Sequence, residues 1–163
     1  MADFSSVSIW IKVCMILIPL GGLCHLIGFA SPYWISSLTT HIGIWKSCSG
    51  SICIDWLDTR AVPGWLRATQ FFETVGLIAI AVAAVILFLS LIVQSLRNKK
   101  IVTIVNALAC FVAFGTIIVG AIIFASRSNS SYLSWAFALC IVGAILEGVA
   151  GALILVGTFA TRS

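Results

Sequence analysis

The chain has 163 residues, of which 61% are hydrophobic and only 9% are charged. Because a soluble domain carries about a quarter charged residues, this chain cannot cover itself with polar surface in water, and lipid is its expected solvent. The net charge of +4 does not indicate nucleic-acid binding, since its densest cluster (Arg97, Lys99 and Lys100) is confined to a few polar residues between two apolar segments.

Four apolar segments are long enough to cross a lipid bilayer. A hydrocarbon core of about 30 Å needs about 20 apolar residues in a helix, and an open sheet would leave backbone donors unpaired in lipid. The sequence therefore predicts one domain over residues 1–163, built on transmembrane helices. The expected spans are residues 9–29, 68–96, 101–125 and 135–160, and the expected outer loops are 30–67 and 126–134.

The expected orientation follows from the basic turn between the second and third spans. Short loops rich in Lys and Arg stay in the cytoplasm, so the turn that holds Arg97, Lys99 and Lys100 is expected inside. An even number of spans then puts both termini in the cytoplasm and both longer loops outside. We expect a multi-pass protein of the plasma membrane, with the lipid bilayer as its first partner.

Two cysteines of the first outer loop, Cys48 and Cys53, are candidates for a covalent link. Outside the cytosol a disulfide is the default, and the turn-forming Ser49-Gly50-Ser51 between them allows cross-strand positions close enough for a bond. A structural zinc site would need two further ligands, and only His41 lies nearby. We therefore predict a Cys48–Cys53 disulfide that fixes a hairpin, and no metal.

A larger sequence pattern surrounds the cysteine pair. Its members are Trp34, then Gly43, Ile44 and Trp45, then Cys48 and Cys53, and finally the W-L-x-x-x-Q of Trp65, Leu66 and Gln70. This pattern resembles the claudin and peripheral myelin protein/epithelial membrane protein superfamily, whose hallmark is W…G-L-W…C…C in the first extracellular segment. Ile44 in place of Leu is the one change within that core, and the spacing looks closer to the peripheral myelin branch.

The resemblance implies both a fold and a range of functions. The implied fold is an all-α transmembrane four-helix bundle with a small extracellular antiparallel β-sheet, in which the cysteine pair bridges two strands. Members of the superfamily build cell contacts, organise membranes or accompany channels, and family membership implies no catalysis. Four tryptophans lie in this one loop, and we favour membrane-interface or sheet-core packing over an exposed contact role for them. They are Trp34, Trp45, Trp56 and Trp65.

Three ionisable residues, His25, Glu73 and Glu147, lie within the spans. Their neighbours at helical spacing are mostly small residues, as in close helix–helix contacts, so we expect none of them to face lipid. His25 and Glu73 each lie about 9 Å below the outer surface, and we predict that they pair. Glu147 lies deeper, and because a lone charge in hydrocarbon is unfavourable we expect it to be protonated or hydrogen-bonded to a hydroxyl such as that of Thr116. We favour structural polar bonds over an ion or proton path.

Two weaker signals concern the fourth span and the loop before it. Ala144, Gly148 and Ala152 form a stripe of small residues suited to lateral packing, within the bundle or against another protomer. Asn129-Ser130-Ser131 is a glycosylation sequon in the second outer loop. We treat Asn129 as a possible acceptor.

The remaining question for the sequence is the class of function. There is no combination of nucleophile, base and orienting group, and no glycine-rich phosphate loop, so we expect neither an enzyme nor a cofactor. One hypothesis is a protein of cell–cell contacts or membrane organisation, acting as a homo-oligomer or with another membrane protein in cis or in trans. The alternative is an accessory subunit that modulates an ion channel or receptor.

Overall fold

The computed structural model describes residues 9–58, 62–97, 99–128 and 132–160. These residues form five α-helices and, between the first two helices, four short β-strands. The helices are α1 (Ile9–Ala30), α2 (Gly64–Ile92), the one-turn α3 (Gln94–Arg97), α4 (Lys100–Arg127) and α5 (Trp135–Ala160). The strands are β1 (Ile35–Ser36), β2 (Thr40–Ile42), β3 (Lys46–Ser49) and β4 (Ile52–Asp55).

The four long helices, α1, α2, α4 and α5, are each long and apolar enough to cross a membrane. Together with the small antiparallel sheet they confirm the predicted fold class. The predicted positions of the two termini concern residues outside the described ranges.

The second long helix is displaced from its predicted span of 68–96. It begins at Gly64, directly after Pro63, whose extended backbone (φ −57°, ψ 141°) precedes the first helical turn. It ends at Ile92, because Val93 is extended and the chain resumes helical geometry only over the short α3. The apolar stretch shows which part of a helix is suited to lipid. The helix itself begins one turn earlier, within the segment predicted as the first outer loop.

The bundle has an uneven pattern of helix contacts. α1 packs along α5, α5 along α4 and α4 along α2, while α1 and α2 meet over a shorter length. The α1–α5 contact is close because glycines line it. A Cβ on Gly143 would lie 2.8 Å from the carbonyl oxygen of Gly21, and one on Gly28 would lie 2.6 Å from that of Ala136. Small residues at these positions let the two backbones approach.

Two clusters of buried apolar side chains form the core. One lies at the end of the helices that carries the sheet and includes Trp34 and Ile44 from the segment between α1 and α2, together with Leu66 and Phe124 from α2 and α4. The other lies toward the opposite end and includes Ile18. The sheet is therefore packed onto the helices and shares their core.

The sheet is an antiparallel meander in the order β1-β2-β3-β4. Ile35 of β1 also forms a bridge with Leu133, which lies just before α5, so Leu133 pairs with the β1 edge. In the described part of the chain, β4 pairs only with β3. Among the described residues, the sheet therefore has an additional partner at its β1 edge and none at its β4 edge.

Candidate functional site

The predicted disulfide joins β3 to β4. Cys48 and Cys53 are directly opposite each other in the antiparallel register and are bonded through their sulfurs, which confirms the predicted pairing. The hairpin turn is Gly50-Ser51, since Ser49 pairs with Ile52. Gly50 has a φ of +58°, a conformation that glycine adopts without steric penalty. The bond therefore clasps the hairpin at its turn.

Polar side chains of the sheet are paired with one another. Nδ1 of His41 lies 3.0 Å from the hydroxyl of Ser36 on β1, so this imidazole has a partner other than the cysteines. Lys46 and Asp55 are opposite each other on β3 and β4, with 3.7 Å between the ammonium nitrogen and a carboxylate oxygen. Such an exposed ion pair contributes about 0–1 kcal/mol, so packing and the disulfide hold the hairpin.

The turn between β2 and β3 is the G-I-W stretch, and it lies against the end of α1. A Cβ on Gly43 would lie 2.5 Å from the carbonyl oxygen of Ser31 and 2.6 Å from the Cα of Pro32. Any other residue at position 43 would push the sheet away from the helix. The side chain of Ile44 is fully buried, and Trp45 packs edge-on against Phe29 at 5.2 Å between ring centroids.

One side-chain amide and one indole group hold this stretch in place by hydrogen bonds to its backbone. Nε2 of Gln70, on α2, donates to the carbonyl oxygen of Ile44 at 2.7 Å. Nε1 of Trp56 donates to the carbonyl oxygen of Gly43 at 3.1 Å. The conspicuous residues of the sequence pattern therefore serve to dock the sheet on the helices.

The loop tryptophans are packing residues. Trp34 is fully buried, donates from Nε1 to the carbonyl oxygen of Gly28 at 2.8 Å, and packs edge-on against Phe124 at 4.8 Å. The other three, Trp45, Trp56 and Trp65, are half-buried. The favoured interpretation, sheet core and membrane interface, agrees with these positions.

The opposite end of the sheet carries exposed apolar residues. In a meander the β1–β2 and β3–β4 turns lie at the same end, and Gly50 donates from its backbone nitrogen to the carbonyl oxygen of Thr39 at 2.8 Å, joining them. Leu38 and Ile52, at these turns, are 104% and 69% exposed. We call the two turns and these two residues the sheet tip. The tip is separated from the helix-bound turn by the length of β3, about 13 Å for its four residues.

Inside the bundle, His25 and Glu73 meet as predicted and are both fully buried. Nδ1 of His25 lies 3.7 Å from Oε2 of Glu73, and Nε2 lies 3.3 Å from the backbone carbonyl oxygen of the same residue. Cys140 of α5 completes the group, because one ligand atom from each of the three residues lies within 4.8 Å of the other two. Cys140 is not among the candidate residues that the sequence indicated. Counted in residues, Cys140 is as far from the start of α5 as His25 is from the end of α1. The two residues therefore lie at similar depths below the sheet, and a comparison of these depths would have indicated Cys140.

Of the two alternatives predicted for Glu147, the hydrogen bond to Thr116 is absent. The Thr116 hydroxyl donates to carbonyl oxygens of its own helix, at Val112 (2.8 Å) and Ala113 (3.2 Å), a local bond that threonine makes readily within a helix. The buried carboxyl group of Glu147 lies instead beside the Cys110 thiol and faces Gly21, where a Cβ would come within 2.9 Å of Oε1.

The small-residue stripe of the fourth span divides between environments. Ala144 is fully buried in the bundle, and Gly148 faces the ring of Phe114 on α4, to which a Cβ would approach within 3.1 Å. Only Ala152 is exposed. Of the two predicted uses, packing within the bundle therefore accounts for Ala144 and Gly148. The sequon residue Asn129 lies outside the described residues.

These features define a class of protein: a multi-pass membrane protein with four helices able to cross a bilayer and a disulfide-clasped sheet at one end of the bundle. A scan against protein-family models gives no match to this chain, and a search of curated proteins gives none either.

Proposed function

We propose that this chain is a non-enzymatic integral membrane protein of cell–cell contacts or membrane organisation, with the sheet tip as its contact surface. The observation that carries the proposal is the exposure of Leu38 and Ile52 at the end of the sheet away from the helices. Removing apolar surface from water is favourable by about 25 cal/mol per Å². Two large apolar side chains on neighbouring turns are therefore suited to bind another protein surface.

The way in which the sheet is held supports this use of the tip. The disulfide closes the hairpin next to Ile52, and the G-I-W turn at the other end is fixed by Gln70 and Trp56. A contact surface that is already ordered loses less conformational entropy on binding. Among the described residues no strand pairs with the other side of β4, next to Ile52, and such an edge can accept a partner strand.

The resemblance to the claudin and peripheral myelin protein/epithelial membrane protein superfamily is part of the proposal. It is supported by the arrangement of the pattern residues, since Gly43, Ile44 and Trp45 form a single docking turn with Gln70 bonded to it. The plasma membrane, with residues 30–58 outside the cell, is the location that this function requires.

The test is a mixed-cell contact assay. Two differently labelled cell populations, one or both expressing the protein, are allowed to touch, and enrichment of the protein at their borders is imaged. We expect enrichment several-fold above the free membrane only where both cells express the chain. Replacing both tip residues (Leu38→Ser with Ile52→Ser) should reduce it to the level of the free membrane, because the apolar contact is lost.

Thr39→Ala is the matched control, because Thr39 is an exposed residue of the same turn that carries no large apolar group. It should leave border enrichment unchanged. Surface staining and non-reducing peptide mapping of the Cys48–Cys53 bond verify that each variant is exported and clasped. Equal enrichment for the tip variant and the wild type would reject the tip, and even distribution of the wild type would reject contact formation.

A second candidate function is that of an accessory subunit of a channel or receptor. The observation that favours it is an apolar groove of about 350 Å³ on the side of the bundle, where α1 and α2 diverge. Its lining includes Pro19 and Phe88, and a groove of this kind fits a helix of another membrane protein.

Crosslinking within the membrane of singly grown cells tests this candidate. Phe88→Ala should reduce crosslinking to a partner by several-fold if the groove binds one. Phe71→Ala is the control, because both rings are 63% exposed on α2 and only that of Phe88 lines the groove. Equal crosslinking by the two variants would count against an accessory role for this groove.

A further inference from the structure

Three side chains of metal-binding type meet inside the bundle. His25 on α1, Glu73 on α2 and Cys140 on α5 are each fully buried. One ring nitrogen, one carboxylate oxygen and the cysteine sulfur all lie within 4.8 Å of one another. Because each residue comes from a different helix, the cluster joins α1, α2 and α5 at a single point.

The hydrogen bonding of His25 leaves one of its ring nitrogens available as a ligand. Nε2 lies 3.3 Å from the backbone carbonyl oxygen of Glu73. A carbonyl oxygen only accepts hydrogen bonds, so the ring proton belongs on Nε2, and Nδ1 of the neutral ring carries a lone pair. Histidines that bind metal ions are oriented in this way, with the other ring nitrogen donating to a carbonyl or carboxylate oxygen.

The atoms that face one another in the cluster are mainly acceptors. Nδ1 of His25 lies 3.7 Å from Oε2 of Glu73, which is too long for a hydrogen bond. Among the described residues, neither this nitrogen nor either carboxylate oxygen of Glu73 has a hydrogen-bond partner. Buried acceptors without donors are unfavourable by about 1–3 kcal/mol each. A cation held between them would satisfy all three atoms.

We propose that His25, Glu73 and Cys140 bind a Zn²⁺ ion. Nitrogen, oxygen and sulfur donors together are the ligands that zinc takes, whereas Ca²⁺ and Mg²⁺ take oxygen ligands. The Cys140 thiol releases its proton when it binds the ion. The thiolate and the Glu73 carboxylate then balance the two positive charges of zinc, and a neutral cluster suits an apolar interior better than an isolated charge does.

The space around the cluster is compatible with this coordination. Zinc–ligand bonds of about 2.0–2.3 Å put the donor atoms of a tetrahedral site about 3.3–3.8 Å apart, so the side chains need to close by about 1 Å from the 4.8 Å limit. Glycines provide the space that two of the ligand atoms themselves occupy. A Cβ on Gly120 would come within 2.6 Å of Oε1 of Glu73, and one on Gly28 within 2.6 Å of the Cys140 sulfur. The second carboxylate oxygen or a water completes the coordination.

The consequence for the fold is a link between helices that otherwise touch little. α1 and α2 meet over a short length, and an ion held by His25 and Glu73 ties them together near the outer end of the bundle, where the sheet is docked. Zinc would thereby act as a structural fastener for the helices that carry the sheet.

The test is metal binding by the untagged, full-length chain in detergent micelles. As purified, without chelator, the chain should contain one zinc per molecule by elemental analysis. After chelation, Co²⁺ should restore one ion per chain and give a thiolate-to-Co²⁺ absorption band that Zn²⁺ abolishes. Cys140→Ser should eliminate this band. Glu73→Gln and His25→Gln should each weaken Co²⁺ binding at least about 100-fold. That factor is the upper end of the loss seen when the changed residue only orients a metal ligand.

Cys110→Ser is the matched control, because Cys110 is an equally buried thiol that lies beside a different carboxyl group, that of Glu147. It should retain the band and the affinity. Helical circular dichroism and elution as a single species verify that each variant is folded, and Cys140→Ala replaces Cys140→Ser if the latter is not. A folded wild-type chain without zinc and without the band would overturn the proposal, as would a band that survives both Cys140 variants.

Discussion

At Gly43 the chain passes so close to the end of α1 that a single added carbon would lie 2.5 Å from the carbonyl oxygen of Ser31. The neighbouring contacts are also backbone atoms, which cannot rotate away as a side chain can. The carbonyl oxygens of Gly43 and Ile44 accept hydrogen bonds from Trp56 and Gln70. At the scale of single residues, the sheet is therefore positioned by a close backbone contact and by the hydrogen bonds around it.

Gly43→Ala should destabilise the folded protein by about 1–3 kcal/mol, the usual effect of forcing an extra carbon into a packed site. The measurement is the midpoint of thermal unfolding in detergent micelles. Gly64→Ala is the control, because a Cβ there meets no atom within 4 Å, and its effect should stay within about 0.5 kcal/mol. Equal midpoints for the two variants would show that the sheet adapts to the added carbon.

At the scale of elements, α1 packs closely on α5. Gly21 and Gly28 of α1 and Gly143 of α5 all lie where a Cβ would contact the backbone of the other helix. Between helices surrounded by lipid, the hydrophobic effect gives little association, and close van der Waals packing has a larger share. These glycines also determine how near His25 and Cys140 come to each other, since both lie on the same contact.

Gly28→Ala should separate α1 from α5 and lower stability by about 1–3 kcal/mol, because its Cβ would lie 2.6 Å from the carbonyl oxygen of Ala136. Resistance to unfolding in a mixed detergent series measures the change. Gly115→Ala on α4 is the control, because its Cβ meets nothing within 4 Å and alanine favours the helix. A loss in Gly115→Ala as large as that in Gly28→Ala would count against close α1–α5 packing.

At the scale of the whole molecule, the sheet and the basic turn lie at opposite ends of the bundle. The sheet joins the end of α1 to the start of α2, while Lys99 directly precedes α4 and Lys100 is its first residue. In a bilayer crossed by these four helices, we expect the two ends to face opposite sides. The positive-inside rule assigns the basic end to the cytoplasm, and the disulfide is of the kind that persists outside it.

This orientation predicts the labelling of single introduced cysteines in intact cells. Ser37→Cys, in the β1–β2 turn, should react with a membrane-impermeant thiol reagent, and Ser95→Cys, in α3, should react only after the cells are permeabilised. Both serines are exposed, and the half-buried Cys24 is changed to Ser in both variants to lower the background. Labelling of Ser95→Cys but not of Ser37→Cys in intact cells would show that the topology is the inverse of the one predicted.

The sequence was sufficient for features that depend on composition and on local spacing. Lengths of apolar sequence gave four spans, because lipid admits few other structures. The Ser-Gly-Ser turn made Cys48 and Cys53 cross-strand neighbours. Equal depth, with small residues around both positions, was enough to predict that His25 and Glu73 meet, since rise per residue is constant in a helix.

Tertiary structure decided how the helices rotate and which side chains meet. The sequence suggested Thr116 as the partner of Glu147, but the rotation of α4 brings Cys110 to it, and the hydroxyl bonds to its own helix. Likewise, spacing along the chain places Cys140 at the depth of His25, but it does not show that Cys140 turns toward His25 and Glu73, nor that Leu38 and Ile52 are exposed. Both depend on contacts between segments far apart in sequence, and such contacts are fixed only when the helices and the sheet pack against one another.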